Sequence, residues 1–218
     1  MSFFCTVDGD VYTKKTAFSG TNDFALNGTF RGMTNLDIHP ARPLYLSATT
    51  LSNNCYQRMF YGCTGLTRAP EFFNEEGAFA ADIPQSACKE MFLGCTALSA
   101  APDLPANGSI EEQGYCGMFI DCTSLTTPPT RLAVSPSSGT KHFQQMFQNC
   151  SALLYAPELP ATTVLASGCQ QMFENCSSLL EGPELPAVTV GQYAYYQMFK
   201  GCSSMTQGPS ELPATVMY

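Results

Sequence analysis

The stretch of sequence that decides the fold is Cys169-Gln-Gln-Met172-Phe173-Glu-Asn-Cys176-Ser-Ser-Leu179-Leu-Glu-Gly-Pro183. It recurs one unit later as Tyr195-x-x-Met198-Phe199-x-x-Cys202-Ser-Ser-Met205-x-x-x-Pro209, and the same frame can be traced back through most of the chain. Self-similarity at a fixed period is typical of arrays in which each unit buries its apolar face against its neighbours. The frame therefore predicts a solenoid and not a closed globule.

The frame divides the chain into about seven units of 26–32 residues. Each unit carries a Phe-x-x-Cys step, except the first, where Phe30 is followed by Met33. Each also has a proline four positions after its Leu or Met. Insertions in such arrays form surface loops, which predicts loops at residues 71–86 and 133–141. The seven prolines are Pro40, Pro70, Pro102, Pro129, Pro157, Pro183 and Pro209.

The first element of each unit has the spacing of a helix face. Cys169, Met172, Phe173 and Cys176 fall at i, i+3, i+4 and i+7, which predicts a short helical turn held by packing against neighbouring units. The residue before the cysteine of each Phe-x-x-Cys step, or before Met33 in the first unit, is Gly, Asn or Asp. These types tolerate a left-handed backbone, so this position is predicted to end the turn. These residues are Gly32, Gly62, Gly94, Asp121, Asn149, Asn175 and Gly201.

The second element, as in residues 178–186, reads as short and extended. Stacked copies would form a parallel sheet with strands about 4.8 Å apart. Proline donates no hydrogen bond to a sheet, so we expect strands of Ser-Leu plus one or two residues, with a bend at the prolines. The two elements together predict an α/β solenoid with short parallel strands and short helical turns.

The frame Met-Phe-x-x-Cys-[Ser/Thr]-x-Leu, followed by Pro-x-Leu-Pro-Ala, resembles the BspA-type leucine-rich repeats of bacterial surface proteins. The resemblance covers residues 24–218 and implies a right-handed, curved, leucine-rich-repeat-like array, an extracellular or envelope location, and a binding role. It transfers no catalytic residue. Similar arrays occur in phage and prophage-borne proteins, which keeps a virion or tail-fibre role open. The family more commonly has Ala where this chain has Met59, Met91, Met118, Met146, Met172 and Met198.

Net charge and hydropathy limit the classes of partner and the cellular location that the sequence allows. The net charge of −8 argues against nucleic acid, which needs a basic stripe. No apolar run approaches the roughly 20 residues of a membrane span, so no membrane insertion is expected. Residues 1–20 lack the features of a signal peptide. For an extracellular or cell-surface protein, the export signal is therefore expected to be absent from this chain.

The two ends of the array are predicted to differ. Residues 3–7 and 11–13 flank Asp8-Gly9-Asp10, which favours a hairpin turn, so residues 1–23 are interpreted as an N-terminal hairpin that caps the first unit. The last unit shows no polar cap after Leu212. Because arrays usually need such a cap, the uncapped C-terminal unit predicts either further chain or self-association.

Eleven cysteines invite a disulfide or metal interpretation. Six share one repeat position, which favours reduced, buried, structural thiols; the alternative is a local pair such as Cys55–Cys63 or Cys116–Cys122. The chain has no Cys-x-x-Cys and only two histidines, so zinc is not expected. Asp8 and Asp10 are interpreted as turn residues and not as calcium ligands. No metal and no cofactor is predicted. The ladder cysteines are Cys63, Cys95, Cys122, Cys150, Cys176 and Cys202.

Two sets of residues are candidate ligand contacts. The position after the repeat proline is acidic in Glu71, Asp103, Glu158 and Glu184. Such a stripe would serve solubility, or recognise a basic or cation-bridged ligand. The second set is aromatic and could stack on sugars or anchor a protein; otherwise it packs locally under loops. Its members are Phe73, Phe79, Tyr155 and Tyr196.

The sequence therefore predicts a non-enzymatic, adhesin-like binding module. No catalytic motif and no plausible nucleophile paired with histidine is present. The expected ligand is a protein or glycan on a host or neighbouring cell. A phage or prophage fibre component that mediates attachment, and a structural spacer, are the alternatives.

Overall fold

The computed structural model describes residues 26–41, 43–46, 48, 50–72, 82–104, 108–130, 132, 135–136 and 138–217. The predicted N-terminal hairpin lies outside these residues. So do Phe73 and Phe79, most of the first predicted loop and part of the second.

The strands are very short and parallel. They are β1 (Ser109–Ile110), β2 (Ser135–Pro136), β3 (Thr163–Val164), β4 (Thr189–Val190) and β5 (Val216–Met217). β1 pairs with β2, and β3, β4 and β5 form a three-stranded sheet in that order. Thr163 pairs with Thr189 and Thr189 with Val216, so equivalent positions of successive units face each other.

The predicted helical turns are wrong for the part of the chain that the structure describes, which contains no helix. Each of these segments is a series of overlapping tight turns, which we call the turn ribbon. It spans residues 53–62, 85–94, 112–121, 142–149, 166–175 and 192–201, with 26–32 in the first unit. The α part of the predicted α/β class is therefore not observed.

Hydrogen bonding in the turn ribbon alternates between two directions. Within one ribbon, Met172 N–H donates to Cys169 O three residues back (3.3 Å), as Glu174 N–H does to Gln171 O. The intervening N–H groups donate to the next unit instead, as Phe173 N–H does to Met198 O (3.0 Å). In an α-helix every such bond would run four residues back inside the segment. Half of the ribbon's bonding therefore joins neighbouring units.

The alternation comes from a left-handed residue at every fourth position. In one ribbon these residues are Ser167, Gln171 and Asn175, with φ of 55°, 54° and 62°. The position before the ladder cysteine has positive φ in all seven units, as the sequence predicted. Left-handed backbone costs about 1–2 kcal/mol for a residue with a Cβ. The bonds between units, each contributing about 0.5–1.5 kcal/mol, offset that cost.

Backbone pairing between units is less continuous on the side of each unit that carries the repeat proline, which we call the proline side. Tyr155 bridges Glu181, which bridges Gln207, so the predicted extended element forms only single parallel bridges two residues before the repeat proline. The two-residue strands β3, β4 and β5 form further along, beyond the Pro-x-Leu-Pro-Ala segment. Each proline interrupts the ladder because it has no N–H to donate.

The core is a stack of equivalent side chains. Seven phenylalanines lie face to face, with ring centroids 5.2–5.8 Å apart and interplanar angles of 1–20°. Met, Leu and Cys side chains of successive units surround this stack and are also buried. The stacked rings are Phe30, Phe60, Phe92, Phe119, Phe147, Phe173 and Phe199.

The ladder cysteines join neighbouring units through their thiols. Each Sγ–H donates to the carbonyl of the stacked phenylalanine one unit earlier, for example Cys122 to Phe92 (3.1 Å) and Cys176 to Phe147 (3.0 Å). All cysteines among the described residues are free. Burial raises the pKa of these thiols, in Cys95 to about 12, so the neutral donor form is strongly favoured.

Candidate functional site

The acidic stripe lies at the surface. Glu71, Asp103, Glu158 and Glu184 are all exposed, and each follows a buried proline that fixes the backbone before it. Glu184 is already occupied, because its carboxylate accepts hydrogen bonds from Ser210 N–H (3.0 Å) and Ser210 Oγ–H (2.8 Å) one unit later. The Glu184 carboxylate therefore links two successive units through hydrogen bonds.

Two other acidic residues make the same type of connection between units. Asp37 accepts from Thr67 N–H (2.9 Å) and Thr67 Oγ1–H (2.8 Å), and Asp82 accepts from Ser109 N–H and Oγ–H (2.9 and 2.7 Å). Burial opposes ionisation of Asp37, but the hydrogen bonds from Thr67 outweigh it and lower the pKa of that carboxyl. The bonds from Ser109 lower the pKa of Asp82. Neither residue stands out in sequence, because the partner lies about 30 residues away.

Tyr155 belongs to an apolar patch that the sequence analysis did not identify. Tyr155 is 56% exposed, and two leucines beside it, Leu154 and Leu180, are 40% and 36% exposed. Leu180 N–H donates to Leu154 O (3.1 Å), which places the leucines on adjacent units. We call these three residues the Tyr155 patch. Exposed Glu158, Glu181 and Glu184 lie on the same two units and form an acidic rim.

A signal for the patch was present in the sequence. The position of Leu154 and Leu180 holds a small polar residue in the neighbouring units, Ser99, Thr126 and Thr206. Two leucines at an exposed repeat position are a departure from the frame. Since units stack in register, departures at the same position of adjacent units lie next to each other.

Tyr196 lies on a different surface of the unit. It is 47% exposed on the turn ribbon and contacts Tyr193 edge to face, with ring centroids 5.7 Å apart. The backbone N–H of Gln171 donates to Tyr196 O (2.9 Å), which fixes this surface on the ribbon side. Among the described residues, no ring contact joins Tyr196 to Tyr155. The structure therefore does not bring these two predicted residues together.

The ribbon also carries a buried carboxylate. Glu174 is 5% exposed and accepts hydrogen bonds from Lys200 (2.7 Å), Gln148 (2.6 Å) and Gln171 (2.7 Å). The bond from Lys200, against the effect of burial, holds the pKa of Glu174 below its usual range. Both carboxylate oxygens have partners, so this cluster joins three units.

His142 and Cys169 line a small apolar cavity with room for about one water molecule. His142 Nε2 lies 2.8 Å from Ser138 O, and burial lowers the pKa of this imidazole. Burial also raises the pKa of Cys169 to about 12. A thiol with this pKa is not an activated nucleophile, so the pair has the properties of core filling.

Within the described residues, no group of three or more His, Cys, Asp or Glu side chains could hold a metal ion. The same part of the chain contains no helix that is long and apolar enough to cross a membrane. Comparison of the chain with protein families, with curated proteins and with solved structures found no match in any of the three.

Proposed function

We propose that the chain is a β-rich, right-handed solenoid of the BspA-like, leucine-rich-repeat type that acts as a non-enzymatic binding module. Parallel pairing of equivalent positions and the seven-ring phenylalanine stack support the solenoid. The observation that carries the binding role is the Tyr155 patch, an exposed apolar surface on a repeat frame that is polar elsewhere. By resemblance, such modules act at the cell surface.

The chemistry of the patch selects a class of ligand. Two exposed leucines and a tyrosine offer apolar contact area, and Glu158 and Glu181 add negative charge beside it. Aromatic anchors with a polar rim are typical of protein interfaces. A basic protein segment with apolar side chains fits this surface better than a sugar, which leucines do not hydrogen-bond. The proposed ligand is therefore a cationic, partly apolar segment of a surface protein.

A binding screen tests this proposal. Purified protein would be applied to arrays of extracellular proteins, basic peptides and glycans, beside a Tyr155→Ala/Leu180→Thr variant. Thr is the residue that Thr206 provides at the same position of the next unit, so folding should be preserved. Loss of a hot-spot residue of this kind costs about 2 kcal/mol or more, which weakens binding about thirtyfold.

Matched controls separate the two aromatic surfaces. Tyr193→Ala/Tyr196→Ala removes similar exposed area from the ribbon side and should leave binding unchanged. A Glu158→Gln/Glu181→Gln variant should bind less tightly and with weaker dependence on salt. Binding that survives Tyr155→Ala/Leu180→Thr contradicts the proposed site. If the chain binds nothing on any of the arrays, the alternatives of a phage or prophage fibre component and a structural spacer would be favoured.

A further inference from the structure

Tyr155 and Glu181 occupy the same repeat position on adjacent units. A parallel bridge pairs their backbones, and Gln207 follows at this position in the next unit. Side chains at paired positions of neighbouring parallel strands start about 4.8 Å apart and leave the sheet on the same side. The phenol ring of Tyr155 and the carboxylate of Glu181 are therefore immediate neighbours.

Both side chains are available to a ligand. Tyr155 is 56% exposed, and Glu181 is exposed as well. Among the described residues, neither side chain has a hydrogen-bond, ion-pair or ring partner, and the two ion pairs found there both lie on the turn ribbon. Glu184, three residues further on, differs because its carboxylate accepts from Ser210. Glu181 therefore carries an uncompensated negative charge beside an open aromatic ring.

This pair of side chains has the chemistry of a guanidinium site. A guanidinium group is a planar cation that stacks on the face of a tyrosine ring and donates two parallel N–H bonds to one carboxylate. An ammonium group is a compact, strongly hydrated charge that makes neither the planar stack nor the paired bonds. A ring and a carboxylate side by side offer both contacts to a single arginine.

We propose that Tyr155 and Glu181 bind one arginine side chain of the ligand. This inference rests on the proposed function and names the basic residue that the Tyr155 patch selects. The guanidinium stacks on the Tyr155 ring and donates to both carboxylate oxygens of Glu181. Leu154 and Leu180, one residue earlier on the same two units, contact an apolar residue beside the arginine. The site therefore distinguishes arginine from lysine, which negative charge alone does not.

Selection of peptides from a random library on the full chain tests the proposal. Arginine should be enriched over lysine among the selected peptides. Each selected peptide would then be made again with lysine in place of arginine, and both forms titrated by calorimetry. The arginine form should bind about tenfold more tightly than the lysine form, because lysine loses both the stack and the second hydrogen bond.

Two single substitutions locate the selectivity. Glu181→Gln removes the charge and supplies the residue that Gln207 provides at the same position, and Tyr155→Leu keeps apolar area but removes the ring. Each should weaken binding of the arginine peptide about tenfold and bring its affinity close to that of the lysine peptide. The matched control is Glu71→Gln, which removes the same charge from an exposed position on a distant unit and should retain the preference for arginine.

The outcomes separate this proposal from the proposed function. Equal binding of the arginine and lysine peptides to the unmodified chain overturns the arginine site, as does a preference that survives both Glu181→Gln and Tyr155→Leu. Loss of the preference in Glu71→Gln also overturns it. In each case, peptides that lose binding with Tyr155→Ala/Leu180→Thr leave the proposed function standing. Peptides that bind independently of the patch, or the selection of no peptide, contradict both.

Discussion

The turn ribbon and the proline side of each unit are built from the same repeat but differ in continuity. The ribbon bonds to its neighbour at alternate residues along its whole length, and its phenylalanines stack without interruption from Phe30 to Phe199. The proline side has two-residue strands and single bridges. Regular backbone bonding therefore fixes the ribbon, while the proline side can accept unusual side chains such as Leu154 and Leu180. Under the proposed function, stability would depend mainly on the ribbon and ligand recognition on the proline side.

The largest expected effect comes from the ribbon core. Phe119 is fully buried between Phe92 and Phe147, with centroid distances of 5.4 and 5.5 Å. Phe119→Ala should lower the free energy of unfolding by about 3–5 kcal/mol, measured by urea denaturation. Leu185→Ala on the proline side should cost about 2–3 kcal/mol, toward the low end for such changes. If the two substitutions lower the free energy of unfolding equally, the ribbon does not contribute more to stability than the proline side.

A smaller effect tests the left-handed positions of the ribbon. Ser167 has a φ of 55°, so Ser167→Gly should relieve backbone strain and raise the free energy of unfolding by about 0.5–1 kcal/mol. Its neighbour Ala166 does not have positive φ, and Ala166→Gly should lower the same quantity by about 0.5–1 kcal/mol. The same sign for both changes, measured by thermal unfolding, would argue against the alternating backbone.

The smallest effect concerns the acidic bonds between units. The pKa of Asp82 is lowered in the folded chain, so its contribution is present above the unfolded value of about 3.8 and is lost as pH falls through the folded value. Asp82→Asn should remove this pH dependence and should change the free energy of unfolding only slightly at neutral pH. Hydrogen exchange of the Ser109 backbone N–H at pH 5 and pH 3 would measure how much protection this hydrogen bond loses on acidification. Unchanged protection of Ser109 N–H on acidification would contradict the assignment.

The sequence predicted the repeat boundaries and the seven left-handed residues before the cysteine position, because each is a direct property of aligned residue types. It did not predict the ribbon. Apolar residues at i, i+3, i+4 and i+7 fit a period of 3.6, but over about two turns they fit a period of four equally well. Apart from Asn54, Gly28 and Gly117, the remaining left-handed ribbon positions hold Ser, Gln, Glu, Arg, Lys or Tyr, which give no local signal.

The candidate site was predicted less completely. Tyr155 was identified by its departure from the repeat, yet its leucine neighbours were missed because they come from two different units. Asp82 and Glu184 gained their roles from partners one unit away, which a linear search does not pair. Phe73 and Phe79 lie outside the described residues, so their role stays a prediction.

The hydrogen-bonded thiols between units also make each ladder cysteine a chemical probe of whether its unit is still stacked on its neighbours. Cys202, in the last unit, is only partly buried, whereas Cys150 and Cys176 are fully enclosed and held as neutral donors. An enclosed ladder thiol such as Cys150 or Cys176 becomes accessible to an alkylating reagent when its unit separates from its neighbours. Successive ladder cysteines therefore report how far the array has opened, with one such thiol in each of the six units from that of Cys63 to that of Cys202.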